Sequence, residues 1–78
     1  MARPFRLPDP NERSKNDPAV LVNSSKILGY YNQEHKDSGE KASYVSETVR
    51  NWYEEQAIAE GWSEVTFIGN QAMLKLNL

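Results

Sequence analysis

The stretch that decides the fold is residues 64–76, EVTFIGNQAMLKL, where the hydrophobic pattern takes a period of two on both sides of Gly69-Asn70. This period is typical of half-buried strands, and glycine in the first central position favours a tight two-residue hairpin turn. That turn sets a register in which Ile68 pairs with Gln71, Phe67 with Ala72, Thr66 with Met73, Val65 with Leu74 and Glu64 with Lys75. We therefore predict a C-terminal antiparallel β-hairpin with strands at about 63–68 and 71–77.

Upstream of the hairpin, residues 43–60 show the 3.6-residue period of an amphipathic helix. Ser43 can cap its first turn, and Gly61 can end it because glycine tolerates the positive φ found just past a last turn. From this helix and the hairpin, the residues predicted to form the core are Val45, Val49, Trp52, Phe67 and Leu74.

The segment before this helix allows two interpretations. Asp17-Pro18 is a good helix start, and the apolar stripe that follows predicts a first helix over about 18–36. In the alternative, the apolar and β-branched residues 19–22 form a short strand, and a shorter helix begins near Ser25. We take the long helix as the first expectation. Gly29 in its middle costs about 1 kcal/mol relative to alanine, which is typical of a close contact or a break.

The N-terminal stretch is set apart by its prolines, since all four of the chain lie within its first eighteen residues. Each proline fixes φ and removes a hydrogen-bond donor, so we expect residues 1–17 to form an extended, flexible arm. Phe5 and Leu7 fall on one side of such an arm and could lie on the domain or on a partner. The expected fold class is α+β, with the arm followed by a single small domain over residues 18–78 that contains two helices and the hairpin.

The amino-acid composition and charge exclude several kinds of site and make several kinds of partner unexpected. The 78 residues include no cysteine, which excludes thiolate metal sites and disulfides and favours a reducing compartment. We see no membrane-span pattern and no secretory signal, so we expect a cytoplasmic protein without a membrane partner. Nine Lys+Arg against eleven Asp+Glu give a net charge of −2. Without a cluster of cations, nucleic acid is not the expected partner.

Catalytic patterns are missing from the sequence. His35, the single histidine, has no neighbours at a known metal-ligand spacing, and Glu54 and Glu55 point about 100° apart on a helix. The serines lack a nucleophile-elbow pattern, and the glycines form no phosphate-binding loop. We therefore expect no enzyme, no catalytic or metal site and no cofactor.

Aromatic side chains are the richer functional signal. Seven follow the arm, which is more than a core of this size is expected to hold. We therefore expect some of them at the surface, where they suit protein interfaces; the competing interpretation is that they are core edges with polar tips in water. The residues predicted to bind a partner are Phe5, Tyr30, Tyr53, Glu54 and Trp62, with Tyr53 and Trp62 in one exposed patch where the second helix meets the hairpin.

Two functions follow from these features. The favoured one is a small non-enzymatic interaction protein, an adaptor, inhibitor or accessory subunit, that docks on a larger protein through an aromatic and acidic surface, with a homodimer as a further option. The alternative is a dimeric DNA-binding regulator in which residues 19–22 pair with a two-fold mate. That strand-helix-helix order loosely resembles the ribbon-helix-helix regulators, whose paired strands enter the major groove. Here the strand lacks basic side chains and a hairpin follows, so the interaction protein is favoured.

Overall fold

Two helices and a three-stranded antiparallel sheet make up the protein, which confirms the α+β class. The structure is a computed structural model and describes residues 5–77; the first four residues of the expected arm and Leu78 lie outside this range. In chain order the elements are β1 (Ala19–Val22), α1 (Ser24–Glu34), α2 (Glu47–Glu60), β2 (Glu64–Ile68) and β3 (Gln71–Lys75). Short 3-10 turns lie at Pro10–Glu12 and Lys36–Ser38.

The strands β2 and β3 pair in the predicted register, with all five expected residue pairs present. Gly69 takes a φ of +64° in the turn, a conformation that favours glycine. β3 has a second neighbour, because β1 pairs along its other side and the strand order is β1-β3-β2. The hairpin therefore supplies two of the three strands of the sheet.

The expected helix over 18–36 is wrong at its N-terminal end, where the chain forms β1 and the alternative interpretation is confirmed. Helix α1 begins only at Ser24, and the side chain of Asn23 caps it by accepting from the Lys26 N–H at 3.0 Å. The strand prevails because β3 offers it a complete hydrogen-bonding edge and because Val22 reaches the core from there.

The second helix is also shorter than expected. It begins at Glu47, and its cap is Ser46, which accepts from the Val49 N–H at 3.3 Å, in place of the expected Ser43. Gly61 ends it as predicted, with a φ of +113°. Val45 is buried from the preceding loop, so apolar periodicity extended the predicted helix beyond its true start.

The core lies between the helices and one face of the sheet. Its buried residues are Val22, Ile27, Tyr31, Val45, Val49, Tyr53, Ala57, Trp62, Ala72 and Leu74. Val45, Val49 and Leu74 confirm the predicted core, while Trp52 and Phe67 are half-buried and pack against it. The other face of the sheet is open, with Leu21 and Ile68 exposed on it.

The described part of the arm lies on the domain. Phe5 exchanges two hydrogen bonds with the side chain of Gln33, at 3.0 and 2.8 Å, and Leu7 packs against the core. The Pro8 carbonyl accepts from the Trp62 indole N–H at 3.0 Å. The described arm is thus attached at three points, and it turns at Pro10–Glu12 and again between Ser14 and Asp17. Its flexibility stays a prediction.

Candidate functional site

The seven aromatic side chains were the sequence signal for a surface, and most of them meet between the two helices. Tyr30 and Tyr31 of α1 lie 5.1 and 5.2 Å from Trp52 of α2, measured between ring centroids. His35 stacks on Tyr31 at 4.0 Å, and its Nδ1 lies 2.8 Å from the Tyr31 carbonyl, which can only accept a hydrogen bond. These rings therefore stabilise the interface between α1 and α2.

Tyr53 and Trp62 do not form the expected exposed patch. Tyr53 is 1% exposed and Trp62 is 2% exposed, so that prediction is wrong. Tyr53 makes edge contacts with Tyr30 and Phe67, at centroid distances of 6.2 and 6.4 Å, and burial followed by the proximity of Tyr30 raises its pKa. The Trp62 indole finds its hydrogen-bond acceptor within the chain, at Pro8. Neither ring is exposed for a partner to contact.

Phe5 and Tyr30, by contrast, come together in an open groove of about 720 Å³ between the arm and the helices. Leu7 and Pro8 form its apolar floor with them, and its carboxylates come from Asp9, Glu12, Glu34 and Glu60. The Phe5 ring lies directly against Gly29, and its backbone is bonded to Gln33. Phe5 therefore already contacts α1 of its own chain through both its ring and its backbone.

Glu54 lies on the solvent side of α2, away from the buried Val49, Tyr53 and Ala57. Beside it is a shallow depression of about 620 Å³ lined by Asn51, Glu54, Glu55, Ile58 and Ala59. We call the surface formed by Glu47, Asn51, Glu54, Glu55 and Ile58 the acidic face of α2. The helix carries four glutamates and one arginine, a net charge of −3, although the whole chain has only −2.

Ile58 is the residue that the sequence reasoning missed. It is 48% exposed and stands among the carboxylates of the acidic face of α2. The helical period carries the signal for it, because Ile58 falls about 180° from Val49 on a wheel of 100° per residue. Ile58 is thus an apolar side chain on the charged side of an amphipathic helix.

Metal-ligand clusters and membrane-spanning helices can be assessed directly on the described residues. Between residues 5 and 77, no group of His, Asp and Glu side chains is arranged to hold a metal ion. In the same part of the chain, neither helix is long and apolar enough to cross a membrane. Function is therefore inferred from the chain's own surface, since no protein-family model, curated protein or solved structure matches the sequence.

Proposed function

We propose that the protein is a small non-enzymatic interaction protein, an adaptor, inhibitor or accessory subunit, that docks on a larger protein through the acidic face of α2. The observation that carries the proposal is the exposure of Ile58, 48%, in the middle of that face. A partner with an apolar socket rimmed by lysine or arginine side chains would complement it.

The two kinds of side chain on this face have different roles. Burial of the exposed part of Ile58 contributes about 1 kcal/mol to affinity, since a whole isoleucine side chain contributes about 1.5–3 kcal/mol. Glu54 and Glu55 flank it and attract a basic partner, which raises the association rate and fixes the orientation more than it adds affinity. One apolar anchor with a charged rim is the usual anatomy of a small interface.

The acidic face of α2 is a better docking surface than the groove under the arm. In the groove, Phe5 and Leu7 are already packed against the chain's own helix and core. On α2, no described residue of the chain donates a hydrogen bond to the Glu54 carboxylate, which faces solvent. A free apolar and charged surface can pair with a partner without displacing an existing contact.

One observation supports the alternative, a DNA-binding regulator: residues 19–60 form a strand followed by two helices. The side chains on these elements argue against it. Strand β1 contains no charged residue, and α2 has a net charge of −3 where a DNA-binding helix needs cations to neutralise phosphates. The interaction protein therefore remains the better-supported function.

The test is site-specific photo-crosslinking in the native source, with the reactive side chain at position 58 and a control at Thr66 on the open face of the sheet. We expect position 58 to give an adduct with one larger protein and position 66 to give none. Glu54→Lys should then weaken binding to that protein about tenfold, while Asp37→Lys, an equal charge change at another exposed site, should not.

Two outcomes of these experiments would contradict the proposed docking through the acidic face of α2. Equal losses from Glu54→Lys and Asp37→Lys would reduce the effect to net charge and contradict a defined face. Adducts with nucleic acid at position 58, retained at about 0.15 M salt, would favour the DNA-binding alternative.

A further inference from the structure

The open edge of β1 presents unpaired backbone groups. Val20 and Val22 face Leu74 and Ala72 of β3, and the Leu76 N–H donates to the Pro18 carbonyl at 2.9 Å. Hydrogen-bonding directions alternate along an antiparallel strand, so the N–H and C=O groups of Ala19 and Leu21 point away from β3. Over residues 5–77, the one side-chain bond at this edge runs from Arg13 Nη1 to the Ala19 carbonyl at 3.4 Å.

The strand itself carries none of the usual protection against strand pairing, and the Arg13 side chain covers only the Ala19 carbonyl. Natural edge strands are blunted by charged side chains, proline or bulges, and the four residues of β1, AVLV, contain none of these. Leu21 is 51% exposed beside the half-buried Met73 on the open face of the sheet. The other edge strand, β2, begins with the charged Glu64. The β1 edge is thus the one suited to receive another strand.

We propose that β1 pairs antiparallel with β1 of a second copy of this chain, about a two-fold axis at Val20, to form a continuous six-stranded sheet. This register places Ala19 opposite Leu21 of the partner subunit and Leu21 opposite Ala19 of the partner subunit. Both residues direct their backbone groups outward, so the pairing forms four hydrogen bonds between the copies. The Ala19 carbonyl, which accepts from Arg13 Nη1, takes part through its second lone pair.

A second copy fits this edge because the edge is complementary to itself. No like charges meet, since β1 is uncharged. Antiparallel pairing brings Asp17, which precedes the strand, beside the start of α1 in the other copy. Each Asp17 already forms an ion pair with Arg13 of its own copy, at 3.2 Å between Oδ2 and Nη1, so its charge is compensated and brings no repulsion to the interface. Two exposed Leu21 side chains also come together near the axis and leave water.

The interface is small, so the dimer is expected to dissociate on dilution. Four hydrogen bonds and a short apolar stripe correspond to a contact below the size of stable complexes, with a Kd in about the micromolar to millimolar range. Sedimentation equilibrium of the unaltered chain from about 10 μM to about 1 mM should show a reversible monomer–dimer equilibrium. A monomer at every concentration in that range overturns the proposal.

A single introduced cysteine tests the register, because the chain has no cysteine of its own. Residues at a non-hydrogen-bonded antiparallel pair have Cα atoms about 4.5 Å apart, within the range for a disulfide. Val20→Cys should therefore form a disulfide-linked dimer on mild oxidation, and Thr66→Cys on β2 should remain mostly monomeric. Equal cross-linking of both variants contradicts pairing through β1.

Charge substitution supplies a test that does not depend on a half-buried position. Leu21→Lys places two like charges about 7–8 Å apart across the axis and should weaken the dimer at least tenfold. Thr66→Lys, an exposed site on β2, should not weaken it, and neither should Glu54→Lys, which separates this proposal from docking through α2. A dimer unaffected by Leu21→Lys, or an edge that binds a foreign strand in place of a second copy, overturns the proposal.

Discussion

Asn32 and Gln33, neighbours on α1, each hold a distant stretch of backbone through a reciprocal pair of hydrogen bonds. The Gln33 amide accepts from the Phe5 N–H at 3.0 Å and donates to the Phe5 carbonyl at 2.8 Å. The Asn32 amide does the same for Ala42, at 2.7 and 3.0 Å. One turn of helix thus fixes both the arm and the loop that leads to α2.

This arrangement predicts two separable effects. Gln33→Ala removes both bonds to Phe5, worth about 1 kcal/mol each, so amide exchange at Phe5 should speed up about tenfold or more. Asn32→Ala should speed exchange around Ala42 and leave the arm unchanged. Hydrogen exchange followed by NMR measures both regions in one experiment. Faster exchange in both regions from either substitution would show that the two attachments open together.

Gly29→Ala is expected to displace the Phe5 ring without destabilising α1. A Cβ at Gly29 would overlap the ring of Phe5, so the ring must move. Alanine favours the helix by about 1 kcal/mol, which offsets the loss of Phe5 burial, about 1–2 kcal/mol. We expect a melting temperature within a few degrees of the original and the loss of NMR cross-peaks between the Phe5 ring and α1. A Phe5 ring that keeps these cross-peaks would contradict the contact.

The hairpin could be predicted from sequence because its determinants are local. Gly69-Asn70 defines the turn, and the alternation beside it then fixes every pair. The start of α1 could not be settled this way, since residues 19–22 suit a strand or a helix and the choice depends on β3, more than fifty positions later. Non-local pairing overrides local propensity at such a segment.

The candidate surface was predicted in part, since Glu54 is exposed and Phe5 and Tyr30 share one groove. Trp62 was misplaced because the arm that contacts it was expected to be flexible. The indole's acceptor is Pro8, fifty-four residues away, in a segment without sequence periodicity. Patterns along a helix or strand reveal its own faces, and they do not reveal what a proline-rich segment covers.

Trp62 should therefore act as a core residue. Trp62→Ala removes a buried side chain at a cost of about 3–5 kcal/mol, close to the whole stability expected of a domain this small, and should leave it largely unfolded at 25 °C. Trp62→Phe keeps most of the ring, loses the bond to Pro8 and should cost about 1–2 kcal/mol. Urea unfolding followed by circular dichroism distinguishes the two. An unchanged midpoint for Trp62→Ala would contradict its burial.

Two buried tyrosines make stability sensitive to alkaline pH. Burial raises the pKa of Tyr53 above its ordinary 10.0, and the proximity of Tyr30 adds to this. Burial also raises the pKa of Tyr31, and the Glu40 carboxylate, which accepts from the Tyr31 hydroxyl at 3.3 Å, reinforces the shift. In both cases the folded state favours the neutral phenol.

Below about pH 9 these two tyrosines should not change the free energy of unfolding. Above about pH 10 the free energy of unfolding should fall, because their phenols ionise in the unfolded chain and stay protonated in the folded chain. For Tyr53, the loss is up to about 1.4 kcal/mol per pH unit. Tyr53→Phe has no phenol proton to lose, so a series of urea unfolding curves up to about pH 11 should show a shallower decline in stability for this variant.

Tyr44→Phe is the matched control, because Tyr44 is 69% exposed, and its stability should fall with pH at the original slope. If unfolding free energy fell equally steeply with pH in the unaltered protein and in Tyr53→Phe, Tyr53 would ionise in the folded state as easily as in water. A side chain that is only 1% exposed should not do so, and the prediction would be wrong.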